Sequence, residues 1–307
     1  MKVAILGQPN NWHTTALQAA LARRGVEAPC APIIQVVARL VGRPRVSTVS
    51  PAATNASEPL EECDAVFVRG IPGGSLEQII FRVDVLHRLE NAGVSVVNSP
   101  AAIERTVDKY YTSTLLEDAG LPTPRTVVTE QFDQALAAFH ELGGDVVIKP
   151  LFGSEGRGMV RVSDPDIAYR ALRALELGRY VYYLQEFVPH GCEDIRAFVV
   201  GEQVVAAMVR QGHSWKTNIA QGARAVPLSA DASLTAIACR AARAAGADYA
   251  GVDILVRQGG DYTVIEVNGI PGWQGLQEVT QVDIADQIAG YVLSRAGRDA
   301  PAVKEHE

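Results

Sequence analysis

The stretch TVIEVNGIPGWQG, residues 263–275, decides how this chain is read. Thr263–Val267 is mostly β-branched and apolar, the composition of a buried strand. It nevertheless carries Glu266 and runs into Asn268, with Gly-Ile-Pro-Gly following. Strand side chains alternate faces, so Glu266 and Asn268, two residues apart, project together at the strand's mouth. A Gly-Gly-Asp turn at 259–261 joins this strand to an earlier one, residues 250–256, which carries Asp253 in GVDIL. Antiparallel pairing across the turn brings Asp253 beside Glu266 or Asn268. Two carboxylates and an amide oxygen then converge. Unpaired carboxylates inside a sheet are costly, and a divalent cation would compensate their charge. Oxygen donors alone, few of them from protein, suit Mg²⁺, whose other positions go to water and phosphate oxygens. Spacing alone fits a solvated face equally well; the apolar flanks favour a buried cluster.

The bulk composition supports oxygen ligation. The four cysteines, Cys30, Cys63, Cys192 and Cys239, lie far apart with no C-x-x-C pair, and the six histidines show no H-x-x-x-H. They read as reduced thiols and isolated imidazoles, not as a disulfide frame or a zinc site. A net charge of −7 argues against a nucleic-acid surface. The chain lacks an apolar run long enough to span a membrane, and MKVAILGQPNNWH lacks the pattern of a signal peptide. The expected compartment is the cytoplasm.

Further outward, strands at 2–6, 64–69 and 94–97 alternate with helices at 14–24 and 75–91, the pattern of a small parallel α/β unit over residues 1–107. Residues 33–41 read as extended, and 42–60, rich in Pro, Ser, Thr and Ala, as a loop. A second unit, 108–188, opens with a helix stopped by Gly120, Pro122 and Pro124. It continues with strands at 125–128, 146–149, 159–162 and 181–188, and helices at 132–142 and 165–177. A third unit, 189–307, holds the hairpin IRAFVV/QVVAAMVR, an Ala-rich helix at 232–245, the Asp253/Glu266 hairpin and a last helix from about 283 to 296, with the final charged residues frayed. The fold class is therefore α/β (α+β).

Three loops carry further signals. In KPLFGSEGRGM, Lys149 ends a strand and three glycines follow, which lets backbone N–H groups approach phosphate oxygens. It is neither a Walker loop nor G-x-G-x-x-G, and alone it fits an ordinary turn. In YLQEFVPHGCEDIR, Glu186 and Asp194 flank a Pro-Gly turn suited to a nucleotide's adenine and ribose, although alone they read as surface charges. The loop RQGHSWKTNIAQG, 210–222, holds Arg210, Lys216 and Asn218, which could stabilise developing negative charge or simply be solvated.

Their order carries more than any one of them. DKYYTSTLLEDAGLPTP (108–124), VVIKPLFGSEGRGM (146–159), LQEFV (184–188), EDIRAFVVG (193–201), KTNIAQG (216–222), AGVDIL (250–255) and IEVNGIPGWQGLQ (265–277) together closely resemble the ATP-grasp superfamily, and within it the RimK-type L-glutamate ligases. The resemblance covers about the last two-thirds of the chain; the first third matches only as a generic α/β unit. It implies an ATP-grasp fold, with a small parallel α/β N-terminal unit and two α+β subdomains clamping ATP. It implies that Lys109 and Lys149 contact the phosphates, and that Gly153, Ser154, Gly156 and Gly158 form a lid over them. Gln185, Glu186, Phe187 and Val188 would line the adenine pocket, and Asp194 would hold the ribose. Asp253, Glu266 and Asn268 would hold two Mg²⁺ (or Mn²⁺) ions, Glu266 bridging. Arg210, Lys216 and Asn218 would be catalytic. The implied reaction is amide formation with L-glutamate through an acyl phosphate.

Two departures touch the acceptor side. The family's usual Asn-x-Ser-Pro-Gly is NGIPG here, with Ile270 in place of serine, and Lys216 stands where an arginine is frequent. IPGWQGLQEVT resembles enzymes that add glutamate to tetrahydromethanopterin-type one-carbon cofactors, and Trp273 there could stack on a flat ring or simply pack. The expected partners are a small-molecule acceptor and L-glutamate, without nucleic acid or membrane, and homo-oligomerisation is left open. The rival readings are glutamylation of a protein tail, a ligase for another amino acid, a nucleotide-binding module without activity, and a redox enzyme. The redox reading suffers because ILGQPNN lacks the glycine trio.

Overall fold

The computed structural model describes residues 1–49, 57–153 and 156–299. The expected element pattern is present. A parallel sheet, ordered Cys30–Ala31, Val3–Leu6, Ala65–Val68, Ser95–Val97, is connected by the helices Trp12–Arg23 and Leu76–Asn91. The second helix begins with a reciprocal capping box between Ser75 and Gln78, which satisfies two otherwise orphaned N–H groups. A four-stranded antiparallel sheet follows, ordered Val160–Val162, Val146–Lys149, Tyr182–Glu186, Thr126–Thr129. Helices Phe132–Glu141 and Pro165–Leu177 cover one of its faces through Ala135, Phe139, Ala168 and Leu172. The last sheet has five antiparallel strands, ordered Arg224–Leu228, Gln203–Gln211, Glu193–Val200, Tyr249–Val256, Tyr262–Asn268.

Two cores meet on that five-stranded sheet. Leu234, Ala238 and Ala242 of the helix Ala232–Ala245 pack with Leu116, Val252 and Val267. On the other face Phe198, Met208 and Tyr249 join Val3, Ile5 and Leu17 of the N-terminal unit and Ile284, Ile288 and Val292 of the helix Ile284–Asp299. The parallel unit therefore shares an apolar core with the sheet that carries Asp253 and Glu266.

Four local expectations change. Within 33–41 the chain forms a 3₁₀ turn, Ile33–Gln35, before a strand, Val36–Ala38. Within 42–60, Val46–Val49 and Ser57–Pro59 are strands of a small antiparallel sheet. Glu61 accepts the N–H groups of Arg45 (2.6 Å) and Val46 (2.7 Å), a tie 15 residues or more along the chain that composition does not reveal. Residues 50–56 and 300–307 lie outside the described residues. Pro100–Val107 is a helix, capped by Ser99 with proline at its first position, and Arg224–Leu228 is an added edge strand. No described helix is long and apolar enough to cross a membrane.

Candidate active site

Strand register assembles the acidic residues. Asp253 pairs with Glu266 across the hairpin and with Arg196 on its other side, so Arg196, Asp253 and Glu266 form one row across three strands. Asp194 pairs with Arg210 in the next row. A β-bulge separates the Asp253/Glu266 pair from the Ile254/Val264 pair, and Ile265 is the extra residue. A bulge breaks strict alternation. This one leaves Ile265 and Glu266, adjacent in sequence, both lining a cleft that Lys149 and Gln185 border from the four-stranded sheet.

Asp253 is buried, and its carboxylate is not bare. Arg196 grips it through Nε and Nη2, the latter at 2.8 Å, and Arg210 Nη2 lies 2.9 Å from Oδ2. Arg210, 4% exposed, also donates to both oxygens of Asp194, at 2.7 and 2.5 Å. Burial opposes ionisation of Asp253, but Arg196 and Arg210 outweigh it and hold the carboxyl below its ordinary pKa. Burial likewise opposes the Arg210 charge, and Asp253 and Asp194 together raise its pKa. The expectation of an uncompensated carboxylate pair is thus corrected. Two guanidiniums and two carboxylates close a neutral network, and the charge left over in this row is that of Glu266.

Glu266 is half-buried and, among the described residues, has no hydrogen-bond or ion-pair partner. Asn268 shows the cleft less: its Oδ1 accepts the Ile270 N–H at 2.9 Å. Among the described residues there is no group of three or more His, Cys, Asp or Glu able to hold a metal. The donors that remain are the Glu266 carboxylate, a spare lone pair on Asp253 (a carboxylate accepts at roughly four positions) and one on Asn268. That set fits a hard cation completing its shell with water and phosphate, and does not fit an all-protein cage.

The opposite wall comes from the four-stranded sheet. Lys149 donates to Gln185 Oε1 (2.6 Å), whose Nε2 donates to Thr126 Oγ1 (3.0 Å) and Tyr183 Oη (3.2 Å). Gln185 is 3% exposed, so its side chain orients Lys149. Burial pushes the Lys149 ammonium down to about 8, opposed by Glu266 and Asp253 and assisted by Lys109. Glu186 spends its carboxylate on Arg125 (2.8 Å) and Arg257 (2.9 Å), tying the four-stranded sheet to the five-stranded one. Phe187 lies under the Arg161 guanidinium (3.4 Å) and edge-on to Trp215 (6.4 Å), and Val188 is buried beside it. Phe187, Val188, Trp215, Leu255 and Ile265 give the cleft an apolar end beside the charged one.

Gly153, Gly156 and Gly158 each meet a close neighbour. Lys109 Nζ donates to Gly153 O (2.6 Å). Gly156 has φ +70°, and a Cβ there would collide with Asn218 Oδ1, so the loop and the 210–222 segment touch where only glycine fits. Gly158, with φ +74°, turns against Pro150. Ser154 lies outside the described residues. Lys149, Gly156, Gln185, Glu186, Phe187, Val188, Asp194, Arg210, Lys216, Asn218, Asp253 and Glu266 all line the one cleft; Lys109, Gly153, Gly158 and Asn268 are not among its lining residues.

Arg196, Arg125, Arg257 and Trp215 were not anticipated as site residues. Arg196 was legible in part: in EDIRAFVV it shares a face with Asp194 two residues earlier. The stacking role considered for Trp273 is excluded by its surroundings. It is 1% exposed, with His13 (4.6 Å), Phe198 (6.0 Å) and Trp12 (6.1 Å) edge-on and Arg69 over its ring (4.6 Å).

Comparison with known proteins settles the family. Residues 106–292 match the RimK-like ATP-grasp domain, and residues 1–103 the RimK PreATP-grasp domain. The chain belongs to the RimK-like ATP-grasp family. It is 35% identical over 301 residues to the tetrahydromethanopterin:alpha-L-glutamate ligase of Methanococcus maripaludis, covering 96% of this chain and 99% of that one. It is 31% identical over 302 residues to the probable alpha-L-glutamate ligase of Legionella pneumophila strain Corby, covering 96% of each. The structure of the ATP-grasp ligase PsnB with a minimal precursor, Mg and ADP shares the fold at TM-score 0.74 and 22% identity, covering 96% of this chain and 98% of that one. As a RimK-like ATP-grasp protein the chain is a C–N-bond-forming ligase. Ligases of this fold use ATP and Mg²⁺.

Proposed function

We propose that this RimK-like ligase joins the amine of L-glutamate to a carboxylate on a small-molecule acceptor, the best candidate being a tetrahydromethanopterin-type or related one-carbon cofactor. The observation that carries this reading is the 35% identity, spanning 96% of this chain and 99% of its relative, to a ligase named for that acceptor. In the first step an acceptor carboxylate oxygen attacks the γ-phosphorus of ATP, the bond to the β-phosphate oxygen breaks, and ADP leaves. In the second, the glutamate nitrogen attacks the acyl carbon, phosphate leaves and the amine loses a proton.

The chain's own residues supply positioning and charge. Lys149, held by Gln185, and Lys109 contact the phosphates, with Gly153, Ser154, Gly156 and Gly158 as the lid. The backbone of Gln185–Val188 borders the adenine, and Asp194 sits at the ribose end. Asp253, Glu266 and Asn268 face the triphosphate, and two Mg²⁺ (or Mn²⁺) ions held there would neutralise charge on the transferring phosphoryl group. Arg210 serves the acyl-transfer side, and Lys216 and Asn218 approach the nucleotide phosphates. The clamp is formed by 108–188 and 189–307, and 1–107 supplies the floor.

The direct test is incubation with Mg²⁺, ATP, L-glutamate and a panel comprising a pterin one-carbon cofactor with a free carboxylate and a peptide with a free C-terminus. Glutamate-dependent ADP release with a glutamyl residue added to the pterin, seen by mass spectrometry, is the expected result. ADP release without amide, or amide on the peptide alone, contradicts it. Lys149 gives a second expectation. Because its folded pKa is about 8, affinity for ATP should decline as pH rises through that value, by up to about tenfold per pH unit. Lys149→Arg should remove this limb, which calorimetric titration across pH 7 to 10 (roughly one unit below and two above) would show.

A further inference from the structure

The segment Gly269–Trp273 leaves the five-stranded sheet directly after Asn268, yet its backbone is held from the N-terminal unit. At three alternate residues a different side chain of that unit takes one backbone group. Asn98 Nδ2 donates to Gly269 O (2.5 Å), Arg69 Nη2 donates to Pro271 O (2.9 Å), and the Trp273 N–H donates to His13 Nε2 (3.0 Å). Asn98 follows the last strand of the parallel sheet, Arg69 follows the strand Ala65–Val68, and His13 sits in the first turn of the first helix.

Asn98 does more than hold one carbonyl. It is fully buried, and its Oδ1 accepts the N–H groups of Asp248 (2.6 Å) and Tyr249 (3.2 Å) while Nδ2 also donates to Tyr249 O (2.8 Å). One amide thus ties the start of the strand bearing Asp253 to the end of the strand bearing Glu266. Arg69 repeats the tie by donating to Tyr249 Oη (3.0 Å) while its guanidinium lies over Trp273. The loop in turn sets Asn268, whose Oδ1 accepts the Ile270 N–H in the middle of the held segment. His13 needs a bare Nε2 to accept, and burial, then the neighbouring Arg69 charge, hold its pKa near 4, so the ring is neutral around pH 7. Its Nδ1 lies 3.2 Å from Asn11 Oδ1, which accepts from it in that tautomer.

We propose that Asn98, Arg69 and His13 are positioning residues for the metal–triphosphate site, through which the N-terminal unit fixes the Gly269–Trp273 loop and hence the orientation of Asn268. The inference rests on the reading that Glu266 and Asn268 hold the cation. Groups that orient a ligating side chain typically govern metal affinity by one to two orders of magnitude. A group that only stabilises the fold would change unfolding without separating cation binding from nucleotide binding.

The test titrates Mn²⁺ by electron paramagnetic resonance into full-length protein loaded with a non-hydrolysable ATP analogue, and measures affinity for the same analogue in the presence of EDTA. Arg69→Met and His13→Leu are expected to weaken Mn²⁺ binding roughly ten- to a hundredfold with metal-free nucleotide affinity unchanged. His13→Gln, whose amide oxygen can accept the Trp273 N–H, is expected to recover most of the loss. Should Arg69→Met fail to fold, the His13 pair decides. Unchanged Mn²⁺ affinity in His13→Leu, or equal losses of cation and metal-free nucleotide affinity, overturns the proposal. Glu266→Gln run alongside separates the two levels: if it weakens Mn²⁺ binding while the positioning variants do not, the metal reading stands and the positioning role falls. If Glu266→Gln leaves Mn²⁺ affinity unchanged, both fall.

Discussion

Replacing Glu266 by Gln is expected to lower ADP release by at least about a hundred- to a thousandfold, the range seen when one preorganised electrostatic group is removed from a transition state. The fold should hardly notice. Glu266 is half-buried and, among the described residues, makes no hydrogen bond or ion pair, so its replacement breaks no direct contact in the free protein. The unfolding free energy should stay within about 0.5 kcal/mol of the parent or rise slightly. Steady-state ADP assays with urea denaturation on the same preparation check both halves. A large loss of stability would mean that the carboxylate has a structural partner and no free charge to offer a cation.

Arg210→Met should behave in the opposite way. Arg210 compensates Asp194 fully and Asp253 in part, with all three buried. Removing one partner of such a network strands charge in a low-dielectric interior, which costs about 3–5 kcal/mol. The variant's acid limb should also move. A carboxyl whose folded pKa is depressed contributes stability above its unfolded pKa and loses it as pH falls through the folded value. With Arg210 gone, Asp253 keeps only Arg196 and its folded pKa rises toward the unfolded value, so this contribution shrinks and its loss is complete at a higher pH. The double change Asp194→Leu, Arg210→Met should regain most of the stability, because apolar residues of similar size often replace a buried pair without loss. It should regain none of the turnover. Urea unfolding at several pH values, with ADP assays, separates the two effects.

These expectations lean on features that sequence patterning reveals unevenly. Period-two alternation placed Glu266 and Asn268 on one face, and the Gly-Gly-Asp turn placed Asp253 opposite, as the Asp253/Glu266 register shows. The Ala-rich helix and the helix at 165–177 were legible because their apolar period, caps and breakers agree. The arginines that neutralise Asp253 were not. Arg196 and Arg210 lie 57 and 43 residues away in sequence, and only the register of three strands brings them to it. The bulge at Ile265 was hidden for the same reason, since TVIEVN reads as unbroken strand until its partner is known. Trp273 misled because a tryptophan among glycines suggests an open loop. Its burial depends on His13 and Arg69, more than 200 residues earlier.

Whether Glu266 and Asn268, beside an arginine-neutralised Asp253, receive a cation under the terminal phosphates of ATP can be seen in a crystal structure with Mg²⁺ and a non-hydrolysable ATP analogue. The expected result is octahedral density within about 2.0–2.1 Å of a Glu266 oxygen, sharing phosphate oxygens with the nucleotide, while Arg196 and Arg210 remain on Asp253. Nucleotide bound in the cleft with Glu266 turned away and no cation between it and the phosphates would contradict it.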